Sequence, residues 1–283
     1  MKTPEESSII ILAPARNVAS VIIPQIETLK SAFKDFNRLA IHVVESHSSD
    51  NTIEVLDIIK QKNSNFSFET LTRSSSINET RTERISFARN KAKEYASHFS
   101  QKLDYVVVAD VDGVNLGLTR ESVSSNWTKQ DWDMVSANQN NDYYDVWALR
   151  HNLICPDDCW VEYENLCRVM SKEKAFKIAV KSKMSKFKSL NGFIEVDSSF
   201  GGIAIYKSSI YFESEYQGIS EDGSPICEHV PFNKMLRSKG ARLFINTNFI
   251  NNKSSTSYLS PTKKLKHYLV GSRNITNPRE PNS

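Results

Sequence analysis

Apolar residues fall alternately in short runs and at helical spacing over the first 110 positions, which predicts an α/β chain. Ser8 to Ala13 reads as a strand. Val18 to Phe36 reads as a helix, with Ile22, Ile26, Leu29 and Phe33 on one face. Leu39 to Glu45 predicts a second strand, and Ser49-Asp50 caps a helix over Asn51 to Lys62 with Ile53, Leu56 and Ile59 or Lys60 tracing its face. A short third strand is expected at Phe66 to Leu71, then a polar loop from Ser74 to Thr82. Glu83 to Phe99 carries Ile85, Ala88, Ala92, Tyr95 and Ala96 at helical spacing. Asp104 to Ala109, DYVVVA, has no polar face, the pattern of a central parallel strand buried on both sides.

Strands alternating with helices of this length imply βαβ crossovers and a mainly parallel central sheet flanked by helices. Such sheets bind ligands at the carboxyl ends of their strands. Four polar segments fall there: Ala13 to Asn17, Glu45 to Asp50, Arg73 to Arg84, and Asp110 to Asn115. The second half is less regular. Trp132 to Asn138 predicts a strand, Tyr143 to Arg150 is an aromatic segment, and SFGGIAIY at 199–206 is a strand led by glycines. Glu228 to Lys239 predicts a helix closed by Gly240, followed by a strand at Ala241 to Thr247. No repeat and no Gly/Pro-rich linker interrupts the chain, so residues 1–254 are expected to form one domain. Two functional halves, about residues 1–115 and 116–254, are expected within it. The polar tail, 255–283, is expected to be disordered.

At this point chemistry enters. VVVADVDG at 106–113 ends a buried strand in two carboxylates, Asp110 and Asp112. Acids this close repel unless a cation joins them, and Mg2+ or Mn2+ held by carboxylates and substrate phosphates would do so. Asp-x-Asp followed by Gly is also the form of an ordinary turn. Glu45, at a strand's carboxyl end, is placed to accept hydrogen bonds from a base or ribose, a duty that helix capping by Ser49 or Asp50 does not explain. Arg81, Arg84 and Arg89 open a helix, where cations are unfavourable. A diphosphate would compensate them, as would ion pairs with Glu79, Glu83 or Glu94. Tyr143, Tyr144, Asp145 and Trp147 suit the stacking of a sugar ring or the filling of a core, with Asp145 the site residue among them.

The net charge of +3 is too small to mark a nucleic-acid binder, and 39% hydrophobic residues exclude disorder over the whole length. The charge is uneven. Residues 171–190 hold seven lysines and one glutamate, and Phe176, Val180, Met184 and Phe187 lie among them. That combination offers a docking surface for an anionic acceptor or for peripheral membrane contact. Cys155, Cys159, Cys167 and Cys227 match neither a disulfide framework nor paired zinc spacing, so free thiols in a reducing compartment are expected. The apolar run Ile9 to Pro14 is too short for a signal peptide and follows acidic residues, and no stretch reaches the ~18 apolar residues of a membrane span. These features point to a cytoplasmic protein.

Taken in order, APARNVAS, VVESHSSDNT, RISFARNKA, ADVDG, YYDVWALR, SFGGIAIY and CEHVPFNKMLRSKGARLFIN resemble GT-A fold glycosyltransferases over residues 8–250. The series looks most similar to the fungal capsule-type and yeast Golgi-type mannosyltransferase families and their bacterial or viral relatives. The resemblance implies a Rossmann-like GT-A fold and transfer of a hexose or related sugar from a nucleotide-diphosphate sugar donor to a glycan or glycolipid acceptor. It implies that Ala13, Arg16, Glu45 and Asp50 frame the nucleotide and that Arg84 approaches its base or phosphates. Asp110 and Asp112 would hold Mn2+ or Mg2+ on the diphosphate, with Asp112 the firmer ligand. Gly201 and Gly202 would let backbone approach the donor sugar. Where many inverting members carry a Glu-Asp pair, this chain has Glu228-His229. Glu228 is then the candidate base, and His229 is left as a metal ligand or an acceptor contact. A retaining mechanism is equally compatible. The rival is a haloacid-dehalogenase-type phosphohydrolase, whose nucleophile strand resembles VVVADVDGVN but usually comes first in the chain.

Overall fold

Eight strands line up in the order β3-β2-β1-β4-β7-β5-β8-β6 in the computed structural model, which describes residues 1–71, 80–184 and 192–252. They are β1 (Ser8–Ala15), β2 (Arg38–Glu45), β3 (Phe66–Thr70), β4 (Tyr105–Ala109), β5 (Met134–Asn138), β6 (Phe193–Val196), β7 (Ile203–Lys207) and β8 (Leu243–Ile250). The main helices are α1 (Ile22–Ala32), α2 (Thr52–Lys62), α3 (Arg81–Ser97), and, after the short α4 (Arg120–Ser124), α5 (Cys159–Cys167). Short helices α6 (Lys172–Phe176), α7 (Ser182–Met184) and α8 (Ser208–Tyr211) precede α9 (His229–Ser238).

The four strands of the first half run parallel, with β1 paired to both β2 and β4. β7 runs against β4 and β5, and β6 against β8, so six strands share one direction. Alternation along β1 explains the two cores. Ile9 and Ile11 pack with Ile22, Ile26, Leu29, Leu56 and Ile59 beneath α1 and α2. Ile10 and Leu12 face the other way, onto Ala88, Ala92 and Ala96 of α3 and Phe232 and Leu236 of α9.

Several boundaries differ from the sequence pattern, each for a local reason. The expected helix over Val18 to Phe36 begins only at Ile22, because the backbone N–H of Val18 donates to Thr52 Oγ1 and that of Ala19 to Asp50 Oδ2. α3 begins two residues early, since Thr80 and Glu83 form a reciprocal capping box. The glycine pair at 201–202 lies in a turn before β7 rather than within the strand. β6 was not expected, being four residues at the sheet edge. Tyr143 to Arg150 forms no strand, although Arg150 bridges to Ser198. In the lysine-rich stretch Phe176 and Met184 pack against the core and Val180 is buried within it, leaving Lys172, Lys174, Lys177 and Lys181 as its outer face. Phe187, most of the Ser74 to Thr82 loop and the 255–283 tail lie outside the described residues. All four cysteines are free, and no helix among the described residues is long and apolar enough to cross a membrane.

Candidate functional site

The carboxyl ends of β1 and β2 are stitched together by Asn17. Its backbone N–H donates to Ser48 Oγ at 2.9 Å, and its side-chain oxygen accepts from the Ser49 N–H at 2.7 Å. Asn17 and His47 both hold a φ of 54°, a left-handed conformation that side chains other than glycine adopt at some cost. Between them Glu45 is fully buried. One carboxylate oxygen accepts the Ser48 N–H at 2.6 Å, while Oε2 is buried without a partner. Asp50 is exposed and accepts from Thr52 and from the Ala19 N–H. Slight burial pushes its carboxyl upward, but those hydrogen bonds outweigh it and hold the pKa below the usual range. Ala13 is buried within β1 and Arg16 is exposed just past its end, while Arg84 is half-buried in the first turn of α3.

β4 ends where the sheet changes sense, between parallel β1 and antiparallel β7. There the Asp110 N–H donates to the Gly202 carbonyl at 2.9 Å. Gly201 and Gly202 have φ of 67° and 90°, and neither has room for a side chain. A Cβ on Gly201 would lie 2.6 Å from the Ala137 carbonyl oxygen. On Gly202 it would lie 2.8 Å from both Tyr144 Oη and Val114 Cγ1. Buried Asn115 locks the corner, donating from Nδ2 to the Asp110 and Gly202 carbonyls at 2.8 and 2.9 Å. Asn251 donates in turn to Asn115 Oδ1 at 2.7 Å and the Gly201 carbonyl at 2.8 Å. Asp145 Oδ2 accepts the Gly201 N–H at 3.0 Å. Asp112 is exposed, with a local bond from the Val114 N–H.

Arg89 joins this corner to α9. Its side chain is 2% exposed, and it donates from Nη2 to Asp110 Oδ1 at 3.0 Å and from Nε to Glu228 Oε1 at 2.9 Å. Its guanidinium lies 4.9 Å over the Phe200 ring and 5.9 Å over that of Tyr216, and Nη1 has no hydrogen-bond partner. Glu228 stands at the N-cap of α9 and is 5% exposed. His229 stacks on Phe200 with centroids 3.8 Å apart, and neither ring nitrogen is hydrogen-bonded. Its Nε2 is 3.5 Å from Glu228 Oε1, yet burial and the Arg89 charge push its pKa well down, so the neutral ring forms no ion pair there.

Burial raises the Asp110 pKa to about 7. Arg89 opposes the shift, and Asp112, Glu228 and Asp145 reinforce it. Burial also pushes the Tyr143 and Tyr144 hydroxyls well up, so both stay protonated. The structure thus gathers Asp110, Asp112, Asp145, Gly201, Gly202, Glu228 and His229 around one corner, with Glu45 and Asp50 at neighbouring strand ends. Among the arginines of α3, Arg89 meets this acidic group. The available sequence signal was an arginine beside inward-facing Ala88 and Ala92. Asn115 and Asn251 carried no comparable signal.

No family model matches this sequence, and no curated protein matches it. Solved structures do match. The mannosyltransferase PcManGT from Pyrobaculum calidifontis, in complex with GDP-Man and Mn2+, matches 96% of this chain at a TM-score of 0.53 and 11% identity. Residues 1-349 of TarS from S. aureus match 94% of it at a TM-score of 0.50 and 13% identity. This chain spans 66% of the length of each of those structures. At such identities the likeness is one of fold, and it gives the chain a GT-A fold, an α/β architecture around an eight-stranded, mostly parallel sheet.

Proposed function

We propose that this chain is a metal-dependent glycosyltransferase, moving a hexose or related sugar from a nucleotide-diphosphate sugar to a glycan or glycolipid acceptor. The observation that carries the reading is the acidic corner at the end of β4, where Asp110 meets the Gly201-Gly202 turn at the switch between parallel and antiparallel strands. Ligands of open α/β sheets sit at such switch points. The mannosyltransferase that shares the fold binds GDP-Man and Mn2+.

The residues fit a divalent cation. Asp110 carries a raised pKa, with Asp112, Glu228 and Asp145 adding to the negative potential around it. A hard cation bound by oxygen would relieve that charge. Among the described residues no group of three His, Cys, Asp or Glu forms a metal cage. Asp110 and Asp112 would therefore supply the protein oxygens and the donor diphosphate the others, while His229, a candidate ligand from the sequence, does not complete a group of three with them. Mn2+ or Mg2+ held there would neutralise charge on the departing nucleoside diphosphate.

The chain's own residues divide the remaining work. The strand ends from Ala13 to Arg16 and Glu45 to Asp50 frame the nucleoside, with Arg84 nearby on α3. The glycine turn admits the donor sugar against backbone, and Tyr144 flanks it. Asp145 is the acceptor-side carboxylate, and Glu228, at the start of α9, is tied to Arg89. Residues 1–115 and 116–254 correspond to donor and acceptor halves, and the exposed Lys172, Lys174, Lys177 and Lys181 form the surface for an anionic acceptor or lipid in a cytoplasmic setting. The phosphohydrolase rival gains no support from the comparisons, where the matched structures include a mannosyltransferase in complex with GDP-Man.

Incubation with Mn2+ and a panel of GDP- and UDP-sugars tests the reading. Release of nucleoside diphosphate, and a thermal shift of roughly 2.7 kcal/mol in stability at a hundredfold excess over Kd, are expected. Phosphate release from phosphosugars, with every nucleotide-sugar inert, would overturn it.

A further inference from the structure

Arg89 is costly to bury, and its surroundings show what the cost secures. A guanidinium 2% exposed between two acids is seldom kept for stability, since an apolar trio of similar volume serves a core as well or better. Here each donor has a separate duty. Nη2 takes one oxygen of Asp110, a carboxylate of the proposed metal site, and Nε takes Glu228, 139 residues away in sequence at the start of α9. Phe200 and Tyr216 cover the guanidinium, so its plane cannot swing without losing ring contact. Tyr216 is itself anchored: its backbone N–H donates to Asn90 Oδ1 and its carbonyl accepts from Asn90 Nδ2, both at 2.9 Å. Glu228 is 5% exposed and its Oε1 accepts from the Arg89 Nε–H, so little of this carboxylate is open to an acceptor hydroxyl.

We propose that Arg89 is a positioning residue that fixes the Asp110 carboxylate for the metal–diphosphate group, and that Glu228 acts through Arg89 rather than on the acceptor. This rests on the glycosyltransferase reading. Lysine keeps the charge but cannot hold two acids in a fixed fork, which makes R89K the informative variant. If Arg89 contributed charge alone, R89K would leave Mn2+ affinity unchanged, and R89M would tighten it by removing a cation from beside the metal. Positioning predicts that both weaken it.

The test measures Mn2+ affinity by electron paramagnetic resonance, alone and with GDP or UDP, for wild type, R89K, R89M, E228Q and R89K/E228Q, beside kcat and KM for any donor turned over. R89M leaves Glu228 buried and unpaired, so R89K carries the test if R89M does not fold. R89K and E228Q are each expected to weaken Mn2+ binding about 10–100-fold, as for groups that orient metal ligands, with the double variant no worse than R89K. Wild-type Mn2+ affinity in R89K overturns the proposal. So does an E228Q that keeps its metal affinity but loses kcat about 10²–10⁴-fold in both backgrounds, the mark of a general base. A wild type that binds Mn2+ but turns over no nucleotide-sugar removes the glycosyltransferase reading and leaves Arg89 to be judged on metal affinity. A wild type that binds no Mn2+ removes both.

Discussion

The backbone N–H of Asp110 donates to the carbonyl of Gly202 at 2.9 Å, so the acidic end of β4 is held by the turn that opens β7. At a φ of 90°, Gly202 has no space for a methyl group, with Tyr144 Oη and Val114 Cγ1 2.8 Å from the position it would take. G202A is expected to cost about 1–3 kcal/mol through backbone strain alone. It should also disturb the Asp110 corner, weakening Mn2+ binding. Urea unfolding and metal titration check both effects, and wild-type values in each would show that the turn tolerates a Cβ and does not set the corner.

Asp112 makes a contrasting prediction. It is exposed, and its one local bond is from the Val114 N–H, so D112N should unfold within about 0.5 kcal/mol of wild type. Loss of a charged ligand should nonetheless remove several kcal/mol of transition-state stabilisation, a fall in transfer of about 10²-fold or more. Full transfer by D112N in EDTA would eliminate the metal role.

Much of this corner was legible in the sequence because its parts are local. The β-branched run at Val106–Val108 predicts a buried strand, and an acid at its carboxyl end then lies in the crevice whatever the rest of the chain does. Glu45 follows by the same logic. Strand direction was not legible, since β7, buried from Ile203 to Tyr206, is apolar on both faces there and carries no mark of which way it runs. Nor were the partners of Arg89, 21 and 139 residues distant, because a charged helix residue reads as solvated until packing places it. The start of α1 was misplaced because Val18 and Ala19 give their N–H groups to a neighbouring loop, a choice that propensity does not contain.

Acidity should couple to metal binding through Asp110. Its pKa is raised to about 7, chiefly by burial, against 3.8 for an ordinary aspartate. The folded apo-protein therefore holds a proton between pH 4 and 7 that the unfolded chain releases. The stability this gives is complete below pH 4 and is lost as pH rises through 7, at up to about 1.4 kcal/mol per pH unit. A metal ion competes with the same proton. Mn2+ affinity should rise up to about tenfold per unit from pH 5 to 7, then level off. Calorimetry in buffers of different ionisation enthalpy should show proton release at pH 6 that D110N lacks. A flat affinity profile would indicate that Asp110 is already ionised before the metal arrives.

His229 offers a way to separate ligand from packing. The ring is 2% exposed, stacked on Phe200 and held neutral, with both nitrogens unpartnered. A buried polar atom without a partner costs stability, so a phenyl ring of nearly the same shape should be tolerated or even stabilising. H229F is therefore expected to unfold at or above the wild-type urea midpoint while keeping the Phe200 stack. If His229 is a metal ligand, the same variant should bind Mn2+ and donor more weakly, with activity partly rescued by excess Mn2+. H229A would confuse the two effects, because it also opens a cavity beneath Phe200. Unchanged Mn2+ affinity in a stable H229F would confine this residue to packing the start of α9 and leave the carboxylates as the protein's metal ligands.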